Sequence, residues 1–461
     1  MNAAITATGQ REFHSGAEAQ SLSLDFLHDY LMGNYRDLYA ATLALDVNDH
    51  NAVLIARNLL VTAGEADLEQ RQAEGRLIAR RLALLPPPRV YRLFRELRRA
   101  KVNNRRTRAI MRDWLVARPD LAFDAVKYRS AVKGAVRHAH LNLGGELGPF
   151  LFTPHRPVAY TTPILETWRR AHYEQAALYK LPYTVAEGFA AKHRIARATF
   201  LERIAPRLTR LERLRLQESA RGLKVDAVRA DLTTMPLTRL ASYVLALSLD
   251  DRVRRRAELT TALRAAARRT AGDQAGRWGA VVAVLDDSFS AYGSGHKRRR
   301  PLAVALACHF LLEALAAEYT PLWLSGRTDA LLVHPYGATP LGERILDGLE
   351  RGFEHGPGRL VIVSDGWDNS PPGLAGEVLR IWRTRLDLDH SCAVVHLNPV
   401  YDAADFDVRR LAPTVPTAGI RDAENLVALV ELARFAEGRT GIFELRAHLA
   451  RRVEGFLRED A

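Results

Sequence analysis

The sequence predicts a helical region followed by a doubly wound α/β domain, an α plus α/β architecture. Three observations predict it. Across residues 22–270 apolar residues recur at helical spacing, segment after segment. From residue 276 short, nearly continuous apolar runs take over, separated by amphipathic stretches. The balance of charge reverses at the same place.

Taken in order, MNAAITATGQREFHSGAEAQ lacks the apolar core of a secretory signal, and residues 1–21 read as a flexible tail. In RVYRLFRELRRA (89–100), Val90, Tyr91, Phe94 and Leu97 share one helical face. Asn104 suits the N-cap of the next helix, which sets Thr107, Ile110, Met111, Trp114 and Leu115 on one side. Helical patterns recur at 176–197, 197–221 and 236–268, with breaks at LPPPR (85–89) and FTPHRPVAYTTP (152–163). Serial short helices suggest a solenoid or bundle over 22–270, although no strict period is visible. RRTAGDQAGRWG (268–279) reads as a linker.

The second domain, 276–461, is expected to carry strands at VVAVLD (281–286), TPLWLSG (320–326), RLVIVSDG (359–366) and SCAVVHLNP (391–399). Helices are expected at 301–317, 340–353 and 374–384. ALLVHP (330–335) is expected as a weaker strand in a hairpin with TPLWLSG. Strands apolar on both faces, alternating with helices, imply a buried and mostly parallel sheet.

A chain of 461 residues, 48% of them hydrophobic, supports two or three domains with their own cores. No run approaches the roughly 18 apolar residues of a membrane span. Cys308 and Cys392 lie in separate apolar segments and read as buried thiols, without a disulfide framework or a zinc site. A cytoplasmic protein is expected. The first 275 residues hold 45 Lys and Arg against 28 Asp and Glu, a net of +17, whereas the remainder holds 21 against 25. Such asymmetry points to a polyanionic partner for the first part, or to the arginine-rich composition of a high-GC genome.

The stretch VVAVLDDSFS (281–290) carries the chemistry. A buried strand runs into Asp286, and Ser288 and Ser290 follow at alternate positions. Ligands of open α/β sheets gather at the carboxyl ends of the strands. Asp365, in the SDG that closes another strand, belongs to the same edge, and Thr339 of YGATPLGER lies between them in the chain. Two carboxylates and three hydroxyls make a hard-oxygen site for Mg²⁺ or Mn²⁺. A phosphatase of the aspartyl-phosphate kind would want a carboxylate at position 288, where this chain has serine, and no P-loop or HExxH is present. His309 and His396 remain open as bases for the serines.

D-x-S-x-S, a later Thr in G-x-T-P-L and an apolar strand ending in SDG resemble the von Willebrand factor A fold and its metal-ion-dependent adhesion site. The resemblance covers residues 276–440. It implies that Asp286, Ser288, Ser290, Thr339 and Asp365 hold the metal directly or through water, leaving one position for a partner's carboxylate.

Basic residues form further candidates. Arg105, Arg108 and Arg112 make one stripe, and Arg129, Lys133, Arg137 and His140 make a second beside Val132, Ala135, Val136 and Ala139. Each stripe reads either as a phosphate-binding surface or as a solvated face. Tyr128 and neighbouring histidines are placed to stack on unpaired bases, although aromatic residues are sparse. The loop AYGSGHKRRRP carries His296, Lys297, Arg298, Arg299 and Arg300, which recognise phosphate or open the next helix.

A basic helical region ahead of one such α/β domain resembles the Ro autoantigen family, whose helical part is the TROVE module. The helical segments KVNNRRTRAIMRDWL, KYRSAVKGAVRHAH and MPLTRLASYVLAL carry that likeness. It implies a non-enzymatic RNA-binding protein, a helical ring taking small noncoding or single-stranded RNA. The alternative is a metal-dependent interaction adaptor or scaffold, with a chaperone-like ATPase as one candidate partner.

Overall fold

The computed structural model describes residues 17–45, 47–155, 159–293, 298–354, 358–389, 391–401, 408–433 and 442–458. It is mixed α/β, with one all-parallel sheet in the C-terminal half. By its contacts the chain divides into two compact units: Met1–Asn51 with Leu232–Phe456, and Ala52–Asp231 with Leu457–Ala461.

Helix α1 (Ala17–Asn34) begins inside the expected tail, so residues 17–21 are helical; residues 1–16 lie outside the described residues. The segment AEAQSLSLDFL is rich in good helix formers and contains no Gly or Pro, which favours helix over tail. Leu24 and Leu27 pack against the fully buried Tyr401 of the same unit. α2 (Arg36–Ala41) follows, and α3 (Asp49–Val61) lies from Ala52 onward in the second unit.

The second unit is a succession of helices: α4 (Leu68–Leu84), α5 (Pro87–Arg99), α6 (Arg105–Val116), α7 (Leu121–Lys127), α8 (Arg129–His138) and α9 (Leu147–Phe152). Then come α10 (Pro163–Arg170), α11 (Gln175–Leu178), α12 (Tyr183–Lys192), α13 (Arg197–Ile204) and α14 (Arg210–Gly222). Val90, Tyr91, Phe94 and Leu97 are all buried, as their spacing predicts, and Asn104 accepts the Thr107 N–H at 2.9 Å as the N-cap of α6. Trp114 anchors this core: its indole N–H donates to Leu82 O at 3.0 Å, and Tyr91 and Phe94 meet it edge to face. The helices expected over 176–197 and 197–221 are each broken. Pro182 lacks the N–H a continuing helix needs, and Pro206 sits in a 3₁₀ turn.

Returning to the first unit, α15 (Leu237–Ala246), α16 (Leu249–Arg254) and α17 (Arg256–Ala271) replace the single helical stretch expected at 236–268. Ser248 stops one helix and starts the next by accepting the Asp251 N–H. The sheet unit then alternates β1 (Ala280–Leu285), α18 (Arg300–Leu315), β2 (Glu318–Trp323), α19 (Leu341–Glu354), β3 (Arg359–Val363), α20 (Leu374–Ile381), β4 (Ala393–Asn398) and β5 (Thr417–Gly419). α21 (Leu426–Ala433) and α22 (Ile442–Arg458) end the described chain. The strand order is β2-β1-β3-β4-β5, every pair parallel. Val282, Val284, Leu360 and Ile362 pack with Leu341, Ile345 and Leu349 of α19 and with Leu379 of α20 in one core cluster.

α18 is buried all round, from Pro301 to Leu312. One side meets β1 and β2, and the other meets α15 and α17, which is why it carries no polar face. That contact corrects the expected boundary: the helices after Leu232 cluster with the sheet, not with the basic helices before them. The expected linker 268–279 is tied down as well. α17 runs through Ala271, and the Gly276 and Trp278 N–H groups donate to Ala314 O and Leu315 O at the end of α18.

ALLVHP is not a strand. Ala330–Leu332 is a 3₁₀ turn in which the Asp329 carboxylate accepts the Leu331 N–H at 3.0 Å, while the Leu331 and Val333 carbonyls accept from Arg252. Its backbone groups are therefore engaged outside any ladder. β5 was not legible in the sequence because three residues directly after Pro416 carry no periodic signal. Among the described residues no helix is long and apolar enough to cross a membrane.

His309 of α18 is buried against Tyr319, with Nδ1 3.0 Å from the phenol oxygen, and desolvation holds its imidazole down at about 4. The folded state therefore keeps the ring neutral while the unfolded chain protonates it near 6.5. Its share of stability is complete above 6.5 and falls away between 6.5 and about 4, by roughly 3 kcal/mol. His309→Gln should lose stability less steeply over that window in urea titrations; equal slopes for the two proteins would remove His309 from the acid response.

Candidate metal centre

The order of strands reverses between β1 and β3, since β2 lies beyond one and β4 beyond the other. At such a switch point the two crossovers leave in opposite directions and open a crevice at the carboxyl ends. Asp286 follows β1 directly and Asp365 follows β3 by one residue, so both carboxylates come to this crevice. They line one small cavity with Ala291, Pro301, Ala305, Val363 and Pro399.

Each loop is locked by its own short-range bonds. The Asp286 N–H continues the sheet by donating to Val363 O. Its carboxylate accepts the Ser288 N–H at 2.9 Å and the Ser364 hydroxyl at 2.7 Å. A 3₁₀ turn from Phe289 to Tyr292 then brings Ser290 back, and the Ser288 and Ser290 hydroxyl oxygens stand 3.2 Å apart. On the β3 side, the Asp365 carboxylate accepts the Trp367 N–H at 3.1 Å. Asn398 of β4 donates to Asp365 O and Arg409 O, which fixes that corner. Gly366 adopts φ +80, and a Cβ there would meet the Arg409 backbone oxygen at 3.2 Å, so the turn after Asp365 needs glycine.

The loops are then stitched together. Phe289 N–H donates to Gly337 O at 3.1 Å and Tyr336 N–H to Asp287 O at 3.0 Å, joining the β1 loop to the segment that leads to Thr339. The Thr339 N–H donates to the Asn369 side chain at 2.9 Å, joining that segment to the β3 loop. Asp286, Ser288, Thr339 and Asp365 are all buried, and Ser290 is half-buried.

Sequence reasoning missed three supports of this rim. Asp287, fully buried, accepts the Ser325 N–H and hydroxyl and lies 3.6 Å from Arg327, so it braces the β1 loop against the β2 loop. Ser364 and Asn369 hold Asp286 and Thr339. The doubled Asp and the Ser of SDG were visible in the sequence, but nothing local distinguishes a bracing side chain from a ligand.

Burial pushes the Asp286 carboxyl up; the Ser288 and Ser364 hydrogen bonds pull it down, and the neighbouring Asp287 pushes it up again. Two buried carboxylates with hydroxyls beside them are what a small hard dication compensates. Among the described residues no three His, Cys, Asp or Glu side chains are grouped to hold a metal, so any site here depends on the hydroxyls. The donor set is all oxygen and fits Mg²⁺ or Mn²⁺. Asp286, Ser288, Ser290, Thr339 and Asp365 would hold the ion, which when bound supplies a Lewis-acidic position for an outside oxygen ligand.

The two histidines considered as bases are engaged elsewhere. His396 is wholly buried, with Nε2 3.0 Å from Ser364 O and Nδ1 3.3 Å from the Thr417 hydroxyl, and burial lowers it to about 4. His309 bonds Tyr319.

The basic candidates divide. Arg105, Arg108 and Arg112 are exposed on α6, Arg112 beside Asp113. Arg137 and His140 are exposed, whereas Lys133 is half-buried; the Lys133 and Arg137 cations both lie over the Phe152 ring. Arg129 is structural instead: it donates to Phe150 O at 2.9 Å, stacks over the Phe150 and Trp168 rings, and is lowered by burial. Lys297, with His296, lies outside the described residues; Arg298 is exposed. Arg299 and Arg300 are clamps within the sheet unit. Arg299 donates to Leu245 O, and Arg300 donates to Arg421 O at 2.8 Å and pairs with Asp422. Guanidinium groups fixed on carbonyls in this way are not a phosphate surface.

Comparison with models of known protein families gives no match for this chain, and comparison with curated proteins gives none either.

Proposed function

We propose that this is a non-enzymatic, metal-dependent binding protein, in which Mg²⁺ or Mn²⁺ at the β1–β3 rim takes a carboxylate from a protein partner. The reading rests on one observation: loops from separate strands, each internally braced, are hydrogen-bonded to one another around Asp286, Ser288, Ser290, Thr339 and Asp365. Such pre-organisation favours ligand capture because little order is lost on binding. The resemblance to the von Willebrand factor A fold supports the same reading, and a cytoplasmic adaptor or scaffold is the form it takes. Calorimetric titration with Mg²⁺ and then Mn²⁺ should show one ion per chain, reversed by chelation. A protein that takes up neither ion at millimolar concentration would sink the proposal.

A second reading has its own support. The exposed cations Arg105, Arg108, Arg112 and Arg137 belong to a helical region of net positive charge, as an RNA-binding protein of the Ro type with a helical-repeat ring would require. Alanine at these four positions together should weaken binding of a single-stranded oligonucleotide across sequences and flatten its salt dependence by roughly three to four phosphate contacts. Unchanged affinity in a filter-binding assay at low salt would remove this surface.

A further inference from the structure

Two large aromatic side chains stand exposed beside the candidate ligands. Phe289, 57% exposed, lies between Ser288 and Ser290 in the chain, and Tyr336, 66% exposed, precedes Thr339. Their backbones are pinned to neighbouring loops: Phe289 N–H on Gly337 O, Tyr336 N–H on Asp287 O. The Tyr336 ring is also supported, with the Arg327 guanidinium 6.0 Å from its centroid, the His334 ring 6.2 Å away, and Arg327 itself 3.2 Å from His334 Nε2. Across the rim, Trp367 follows Asp365 and carries the Arg409 guanidinium 3.6 Å from its centroid.

An exposed Phe or Tyr forgoes roughly 2 kcal/mol of burial, so two of them on braced loops beside a polar rim form an anchor for something else. Held aromatic rings lose little freedom when covered, which makes them effective contact residues. Arg327 stands beside Tyr336 but is balanced by Asp287 at 3.6 Å, and exposed Arg298 lies further along the β1 loop. An acidic segment is therefore selected by the metal position, through its carboxylate, and not by the charges around the rings.

We propose that the rim is a two-part peptide site, taking an acidic segment whose Asp or Glu carboxylate faces the metal position while a large apolar residue next to it packs on Phe289 and Tyr336. Phe289 sits between Ser288 and Ser290, so the apolar residue should fall next to the acid or one position beyond it, an extended chain advancing about 3.3 Å per residue. This inference rests on the metal-dependent reading above and adds to it the class of partner sequence.

The test is a random peptide library displayed on phage, panned on the full chain in Mg²⁺ and eluted with a chelator. The expected consensus is an Asp or Glu with a large aliphatic or aromatic residue beside it. On the Phe289→Ser, Tyr336→Ser protein the acid should persist and the apolar preference vanish, with selected peptides binding about tenfold more weakly. Phe289→Leu, which keeps apolar surface, should retain the consensus. An acid without an apolar neighbour, or one consensus from both proteins, overturns the aromatic subsite and leaves the metal reading standing. Displacement of the selected peptides by a single-stranded oligonucleotide would assign the aromatics to base stacking and overturn it likewise. No chelator-eluted phage at all overturns the metal reading and this inference with it.

Discussion

Replacing Asp286 by asparagine should abolish Mg²⁺ binding without unfolding the protein. The carboxylate is 5% exposed and accepts from Ser288 and Ser364. An asparagine amide of the same shape keeps one acceptor oxygen for these donors but removes the charge that a dication requires. Without metal, burial of the ionised carboxylate is unfavourable, so the apo variant should be as stable as the apo parent or slightly more so. With metal the parent gains what ligand binding to the folded state supplies, about 2.7 kcal/mol at a hundredfold excess over Kd. Scanning calorimetry with and without Mg²⁺ separates the two contributions. A parent whose Tm rises with Mg²⁺ beside a variant whose Tm does not is the expected pair. An equal rise in both proteins would take Asp286 out of the metal site.

Arg252→Met should cost about 3 kcal/mol and weaken the metal site together with the fold. Arg252 is 2% exposed, and its described partners are all carbonyls: Leu245 at 3.0 Å, Leu247 at 3.2 Å, Leu331 at 3.2 Å and Val333 at 2.9 Å. Burial, and then the nearby Arg299 charge, lower its guanidinium to about 10, a sign of how unfavourable the site is for a cation that lacks those acceptors. Methionine fills much of the volume but strands the Leu247, Leu331 and Val333 carbonyls, Leu245 O keeping its bond from Arg299, at about 1–3 kcal/mol for each one left unmet, partly offset by no longer burying a charge. Two of those carbonyls lie in the turn that leads to Tyr336 and Thr339, so the loss should extend to Mg²⁺ affinity. Arg252→Lys should fall between the two, since an ammonium keeps the charge but not the planar fork. Urea unfolding and Mg²⁺ titration of the same preparations measure both effects. A Met variant within 1 kcal/mol of the parent would mean that water takes over the carbonyls.

The elements legible from the chain alone are those whose signal is local. β1, β3 and β4 follow from continuous apolar runs, the face of α5 from its spacing, the start of α6 from Asn104, and the oxygen chemistry of the rim from residue types at a strand end. Each depends on a few neighbouring residues, and neighbours in the chain stay neighbours in the fold. Tertiary structure alone decided what the long cationic side chains do. Arg129, Arg299 and Arg300 look in the sequence like Arg105 and Arg108. Yet Arg299 reaches a carbonyl 54 residues away and Arg300 a carboxylate 122 residues away. Whether a guanidinium meets water, phosphate or a buried carbonyl depends on which backbone lies at the end of its stem, and only the packed chain supplies that. The same reason places α15 and α17 with the sheet: their apolar faces are visible in the sequence, but the all-apolar surface of α18 that they cover is selected only when the unit assembles.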